Sequence, residues 1–187
     1  MKVCAERLAK YPNVTICARD QQSYDTLKQH FRNTILLVPD LAFCIDMSRW
    51  TQSKSAKKND LLLMRSDRER QDSAVLEELK GRESIVVSDW PPMEHRDLYT
   101  WLLVKLSPRV PRRLLDWYCR QVYRRHLVRS GVRFLSQHER IYSTRLHGAI
   151  LALLLDKQVE LIDNNYGKNS GFYDTWLADC ENIKLHR

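Results

Sequence analysis

The chain has 187 residues, of which 43% are hydrophobic and 29% charged, enough to bury one full core with a small appendage and unlike the composition of a disordered chain. Its formal charge of +8 and pI near 9.4 call for an acidic partner or simply for solubility. No apolar run approaches a bilayer span, and the five scattered cysteines (Cys4, Cys17, Cys44, Cys119, Cys180) never form Cys-x-x-Cys, which argues against a zinc site or disulfide frame and for free thiols in a reducing compartment.

Residues 1–10 read as a short mixed helix with Glu6 inside it, which is not a signal-peptide pattern, and Tyr11-Pro12 ends it. A cytoplasmic location is expected. Val14 to Ala18 is a β run with Arg19-Asp20 at its exit. From Asp20 to Arg32, Tyr24, Leu27 and Phe31 recur at helical spacing on one face. Thr34 to Val38 is the next strand, closed by Pro39-Asp40, so 1–47 forms a front βαβ segment.

Residues 48–59 are polar and lysine-rich without periodicity and read as a linker or exposed loop. Leu61 to Met64 is a buried strand. Asp67 can cap a helix running to about Lys80, Gly81 ends it, and Ser84 to Ser88 is a strand. This alternation predicts a parallel, doubly wound sheet over 60–187.

Asp89-Trp90-Pro91-Pro92 breaks the pattern. Glu94 to Leu106 reads as a helix with Leu98, Trp101, Leu102 and Leu106 inward. The next helix, 112–130, is the most basic part of the chain, with Arg113, Trp117, Arg120 and Arg124 on one stripe. Leu115, Tyr118, Cys119 and Val122 lie opposite and are expected to pack on the sheet. Three readings of the stripe stay open: a solvated face, a surface for anionic lipid or a lipid-linked sugar pyrophosphate, and a nucleic-acid surface. No zinc finger, aromatic RNA-reading motif or convincing helix-turn-helix is present, so nucleic acid is not the expected partner.

A strand from Arg140 to Ser143, a helix with seven apolar residues from Ala149 to Leu155 and a strand from Val159 to Ile162 form the central unit. Ser143 or Thr144 can cap the helix, whose unpaired first-turn N–H groups carry the positive end of its dipole and suit an anion. Arg145 adds a planar fork of donors, His147 a group that titrates near neutrality, and Gly148 room for close approach to the backbone. The turn at the carboxyl end of a strand is where open α/β sheets bind ligands. None of the five glycines belongs to Gly-x-Gly-x-x-Gly or a P-loop, so a phosphate would be held by side chains and the helix start. Arg145, His147 and Lys168 could supply that hold. Ser170 to Leu177 closes the chain as a short helix that Ser170 could cap.

Thr144-Arg145-Leu146-His147-Gly148, the helix and strand after it, Asn165-Tyr166-Gly167-Lys168, Phe172 to Leu177 and the earlier Arg19-Asp20, Ser23 and Pro39-Asp40 together resemble the polysaccharide pyruvyl transferase family. The likeness runs in patches from about Val14 to Leu177 and corresponds to the C-terminal part of that family. It implies a Rossmann-like parallel sheet flanked by helices, as in the C-terminal domain of a two-domain GT-B enzyme, with 60–187 as the donor-binding domain. A missing N-terminal half or another subunit would complete the cleft.

The resemblance implies transfer of pyruvate from phosphoenolpyruvate to sugar hydroxyls as a ketal, in capsule or exopolysaccharide synthesis, without metal or other cofactor. It implies a donor site lined by Arg145, Leu146 through its backbone, His147, Arg19 and Lys168. His147 and Arg145 are the catalytic candidates. A sugar or lipid-linked oligosaccharide would be the acceptor, with peripheral contact at the inner membrane face through helix 112–130. A GT-B-like glycosyltransferase domain using a nucleotide sugar and a non-catalytic basic binding module are the alternatives.

Overall fold

The computed structural model describes residues 1–47, 50, 59–64, 73–90, 97–163 and 167–187. Most of the expected linker, Asp67, Pro91-Pro92 and Asn165-Tyr166 lie outside these residues.

Helix α1 (Lys2–Leu8) precedes strand β1 (Thr15–Ala18), helix α2 (Gln21–His30) and strand β2 (Thr34–Leu37). β1 and β2 pair in parallel, Thr15 opposite Thr34 through Ala18 opposite Leu37, as a separate two-stranded sheet. Asn33, buried just before β2, donates its amide N–H groups to the carbonyls of Leu8, Tyr11 and Val14 and so ties α1 to this unit. A 3₁₀ turn, Leu41–Cys44, follows with Asp40 as its cap.

The main sheet holds β3 (Asp60–Leu63), β4 (Ile85–Ser88), β5 (Arg140–Ser143), β6 (Gln158–Ile162) and β7 (Ile183–His186), all parallel, in the order β4-β3-β5-β6-β7. Leu61, Leu62 and Leu63 have no exposed surface, because a central parallel strand is covered on both faces and needs an uninterrupted apolar run. Successive side chains alternate between faces. Leu62, Tyr142 and Ile162 pack on one side with Leu76 and Leu79 of helix α3 (Ala74–Lys80).

On the other side, Leu61, Leu63, Ile141, Val159, Leu161 and Ile183 form the larger core. Helices α6 (Arg124–Ser136), α7 (Leu146–Leu154) and α8 (Lys168–Trp176) cover it through Val132, Leu135, Ile150 and Phe172. Each such fully buried side chain is worth roughly 1.5–3 kcal/mol.

Several expectations are corrected. The helix ending at Lys80 starts at Ala74, because Ser73 holds extended backbone and its hydroxyl accepts from Leu76 N–H. Helix α4 is Leu98–Leu106, capped by Asp97. Leu98, Trp101 and Leu106 on it point outward, at 65%, 51% and 40% exposure.

The basic helix does not end at Ser130. It is built from α5 (Arg112–Tyr118), a π-type segment Cys119–Tyr123 and α6, which runs through Gly131. A Cβ on Gly131 would lie 2.5 Å from the Trp90 ring, so this glycine serves packing of the helix and is no stop signal. The face bearing Tyr118 meets α4, not the sheet: the Tyr118 hydroxyl donates to the Tyr99 carbonyl, and Tyr123 bonds Thr100. Strand β7 is an addition that the sequence pattern did not suggest. The tail helix α8 starts at Lys168 after Gly167, and the Ser170 hydroxyl donates to the Gly167 carbonyl, so Ser170 is not its cap.

Candidate functional site

β3 leads outward to β4, whereas β5 returns on the other side of β3 and continues to β6 and β7. The chain direction therefore switches between β3 and β5, and the carboxyl ends of those strands border the crevice where such sheets take ligands. Thr144 N–H donates to the Leu63 carbonyl there, closing the mouth of the β5 turn onto β3.

Arg145 follows directly. It is the N-cap of α7, with extended backbone and no side-chain cap bond, so neither Ser143 nor Thr144 caps the helix as expected. The Ser143 hydroxyl instead accepts from Arg145 N–H and donates to the Arg145 carbonyl. Gly148 is also read differently: a Cβ there would sit 2.4 Å from Leu63 Cδ2, so what approaches this glycine is strand β3.

The Arg145 guanidinium is not open. Its Nε and Nη2 donate to the two Asp89 oxygens at 2.9 Å each, a two-pronged pair that also fixes the guanidinium plane. Asp89 stands at the exit of β4, 3% exposed against 19% for the Arg145 side chain, and accepts from Trp90 N–H as well. A buried carboxylate with these donors is a neutralised, well-held group.

His147 lies two residues further and is 69% exposed at its side chain, with Nε2 3.2 Å from Asp40 Oδ2. Arg19, at the exit of β1, donates from Nη1 to the same oxygen at 2.8 Å. Asp40 Oδ1 accepts from Ala42 N–H. Burial pushes the Asp40 carboxyl up, but the Ala42 N–H, Arg19 and His147 outweigh it and hold the group below its ordinary value. The buried aspartate at the exit of β2 thus gathers an arginine and a histidine from distant parts of the chain.

The Arg-Asp-x-x-Ser element has its own structural account. Asp20 caps α2 by accepting from both Ser23 N–H and the Ser23 hydroxyl at 2.8 Å each. Arg19, the residue before this cap, reaches Asp40. Trp176 Nε1 donates to the Arg19 carbonyl, and Gln21 N–H to the Thr175 hydroxyl, so α8 braces the turn.

Lys168 opens α8 and lines a cavity of about 330 Å³ with Arg19, Asp20, Ser23 and Phe172. Arg145 and His147 are not in that lining. Leu146 starts α7 half-buried against the main core. The structure therefore brings Arg19, His147 and Asp40 into one cluster, places Lys168 with Arg19 at the adjoining cavity, and engages Arg145 with Asp89.

Asp40, Asp89 and Asn169 were not assigned roles from sequence. Asn169 is 3% exposed, and its side-chain amide donates to the carbonyls of Ile162 and Thr144, joining the ends of β6 and β5. The available signal was position: like Arg19 and Arg145, Asp40 and Asp89 stand within three residues of the end of a strand.

Chemically, the cluster offers the Arg19 guanidinium held by Asp40 and an exposed imidazole, and the start of α7 adds the Arg145 guanidinium held by Asp89 and N–H groups without a side-chain cap. The His147 imidazole, a ring able to donate or accept a proton, stands 3.2 Å from Asp40 at Nε2 and is largely open to solvent.

Residues 2–166 match the family model described as polysaccharide pyruvyl transferase. EpsO of Bacillus subtilis strain 168 is 32% identical over 99% of this chain and 57% of its own length. Pyruvyl transferase 1 of Schizosaccharomyces pombe is 26% identical over 92% of this chain and 42% of its own. A crystal structure of an uncharacterized protein from Klebsiella pneumoniae aligns over 98% of this chain and 59% of that one, with a TM-score of 0.61 at 18% identity, a likeness of fold. The chain spans about half the length of the relatives it matches.

Proposed function

Because the chain belongs to the polysaccharide pyruvyl transferase family, we propose that the β1, β2 and β5 exits form a phosphoenolpyruvate site from which pyruvate passes to sugar hydroxyls as a ketal. The convergence of Arg19 and His147 on the single Asp40 carboxylate is the observation that carries this reading. A small acid with one carboxylate and one phosphate needs two cationic grips and a proton carrier.

Arg145, with its guanidinium plane fixed by Asp89, presents its outer edge to one anionic group. Arg19 or Lys168 receives the other, and the N–H groups of Leu146 and His147 face the same anion from the start of α7. In the overall step the C–O bond to phosphate breaks and two sugar oxygens bond to the former enol carbon. Of the two hydroxyl protons, one ends on the methylene carbon and the other on departing phosphate. His147 is placed to move a proton between these atoms.

The chain is, in this reading, the donor half of a GT-B-like cleft in exopolysaccharide or capsule synthesis. The acceptor side comes from the further length its relatives possess or from another subunit.

Titration calorimetry with phosphoenolpyruvate tests the assignment. Arg145→Ala and His147→Ala should each weaken binding by roughly 10- to 100-fold, the loss of a charge-assisted contact. Unchanged affinity in Arg145→Ala rejects the site. Thermal protection by a nucleoside diphosphate, without any by phosphoenolpyruvate, would move the protein to nucleotide-sugar chemistry.

A further inference from the structure

The excess positive charge of this chain is concentrated in one place. Residues 98–130 hold eight of its 31 lysines and arginines and one of its 23 acidic residues, Asp116, so the rest, with 23 cations and 22 acids, is close to neutral. Residues 98–124 of this stretch form a helical hairpin. Among the described residues of α4, α5 and the π-type segment no side chain is buried. The two arms are held to each other by the Tyr118–Tyr99 and Tyr123–Thr100 bonds and by the pairing of His126 with Asp97.

The hairpin also carries much exposed apolar surface. Leu98, Trp101, Val104, Leu114 and Trp117 are each more than half exposed, at 65%, 51%, 61%, 57% and 59%. They are interspersed with Lys105, Arg109, Arg113 and Arg120, and the Lys105 ammonium stands 5.9 Å over the Trp101 ring. At its base, Arg125, Arg129 and Arg133, spaced one turn apart, line a groove of about 520 Å³ beside Tyr99.

A merely solvated face has no use for two tryptophans and three aliphatic side chains, and Leu98, Val104 and Leu114 give nucleic-acid bases nothing to stack on. Aromatic rings at headgroup depth, aliphatic groups reaching the acyl boundary and cations level with lipid phosphates match an anionic bilayer surface. Among the described residues no helix is long and apolar enough to cross a membrane, so the fit is to lying on the surface. We propose that the hairpin 98–124 docks this protein onto anionic phospholipid bilayers, with Trp101 and Trp117 as anchors. The proposal is independent of the donor-site reading.

Co-sedimentation of the full chain with vesicles tests it. Equimolar phosphatidylglycerol and phosphatidylcholine should retain the protein at low salt and release it as salt rises, while phosphatidylcholine alone should not retain it. Arg113→Glu and Arg120→Glu should each lower partition roughly fivefold or more, and Trp117→Ser should lower it comparably. Lys184→Glu, an equal charge reversal on β7, should lower it much less. Far-ultraviolet circular dichroism checks that the variants fold.

Failure to bind anionic vesicles, or equal loss in Lys184→Glu, overturns the proposal. So does a dimer that dissociates on Trp117→Ser without vesicle binding, which would give the face to a second copy. Retention of a single-stranded oligonucleotide, lost in Arg113→Glu and unaccompanied by vesicle binding, would give it to nucleic acid.

Discussion

Asp40 shows how one side chain links stability to the candidate chemistry. Its folded pKa lies below the unfolded one, so its stabilising effect is fully present above the unfolded value, about 4, and fades as pH falls through the folded value. Asp40→Asn should cost about 1–2 kcal/mol in urea unfolding at neutral pH, through the lost charge-assisted bond to Arg19. The deficit against the parent should shrink as pH drops below about 4. A deficit independent of pH would mean that the carboxylate charge is not what matters. At this scale the sequence displayed the candidate residues, since Arg19, Arg145, His147 and Lys168 stand at element boundaries. It did not display their partners, because Asp89 is 56 residues from Arg145 and Asp40 is 21 from Arg19. Such pairings are made by the sheet, and local spacing carries no record of them.

At the level of elements, α7 approaches β3 as closely as it does because position 148 lacks a side chain. Gly148→Ala gains up to about 1 kcal/mol of helix propensity but drives a methyl group into Leu63, and overpacking of about 1–3 kcal/mol should win. In a double-mutant cycle with Leu63→Ala the two costs should fail to add, the pair being no less stable than Leu63→Ala alone. Strict additivity would show that helix and strand do not meet there. Elements with strong periodicity were readable: the strand 140–143 falls on its expected residues, and β1, α2 and β2 within a residue or two. Two readings were misled by a local rule. Gly131 looks like a helix terminator but is a packing site for Trp90. Leu98 and Trp101 look like an inward face but remain in solvent, because apolar periodicity marks a face without saying what covers it. β7 is a four-residue strand with one buried side chain, Ile183, too short a signal for an alternation argument.

For the whole molecule, the front unit and the main sheet are joined by few polar links. Among the described residues they include the Trp176 indole on the Arg19 carbonyl, Gln21 on Thr175, and Asp40 with His147, supported by the stacked rings of Phe43 and Phe172. Trp176→Phe deletes one of them while keeping an aromatic ring. Amide hydrogen exchange in β1 and α2 should then quicken severalfold, with β3 and β5 unchanged. Equal acceleration in both sheets would indicate one cooperative unit. Alternation of strands and helices announced a front βαβ segment and a parallel sheet over 60–187, but not the strand order β4-β3-β5-β6-β7, since pairing partners are a property of the assembled layers.

The position of β3 between β4 and β5 has a further consequence for biogenesis. The Leu63 carbonyl waits for the Thr144 N–H, 81 residues downstream, and at cellular rates of translation that delay is roughly ten seconds. Throughout it the leucine triplet of a nascent chain has β4 on one flank and nothing on the other. Slowing elongation between the two strands would prolong the exposure.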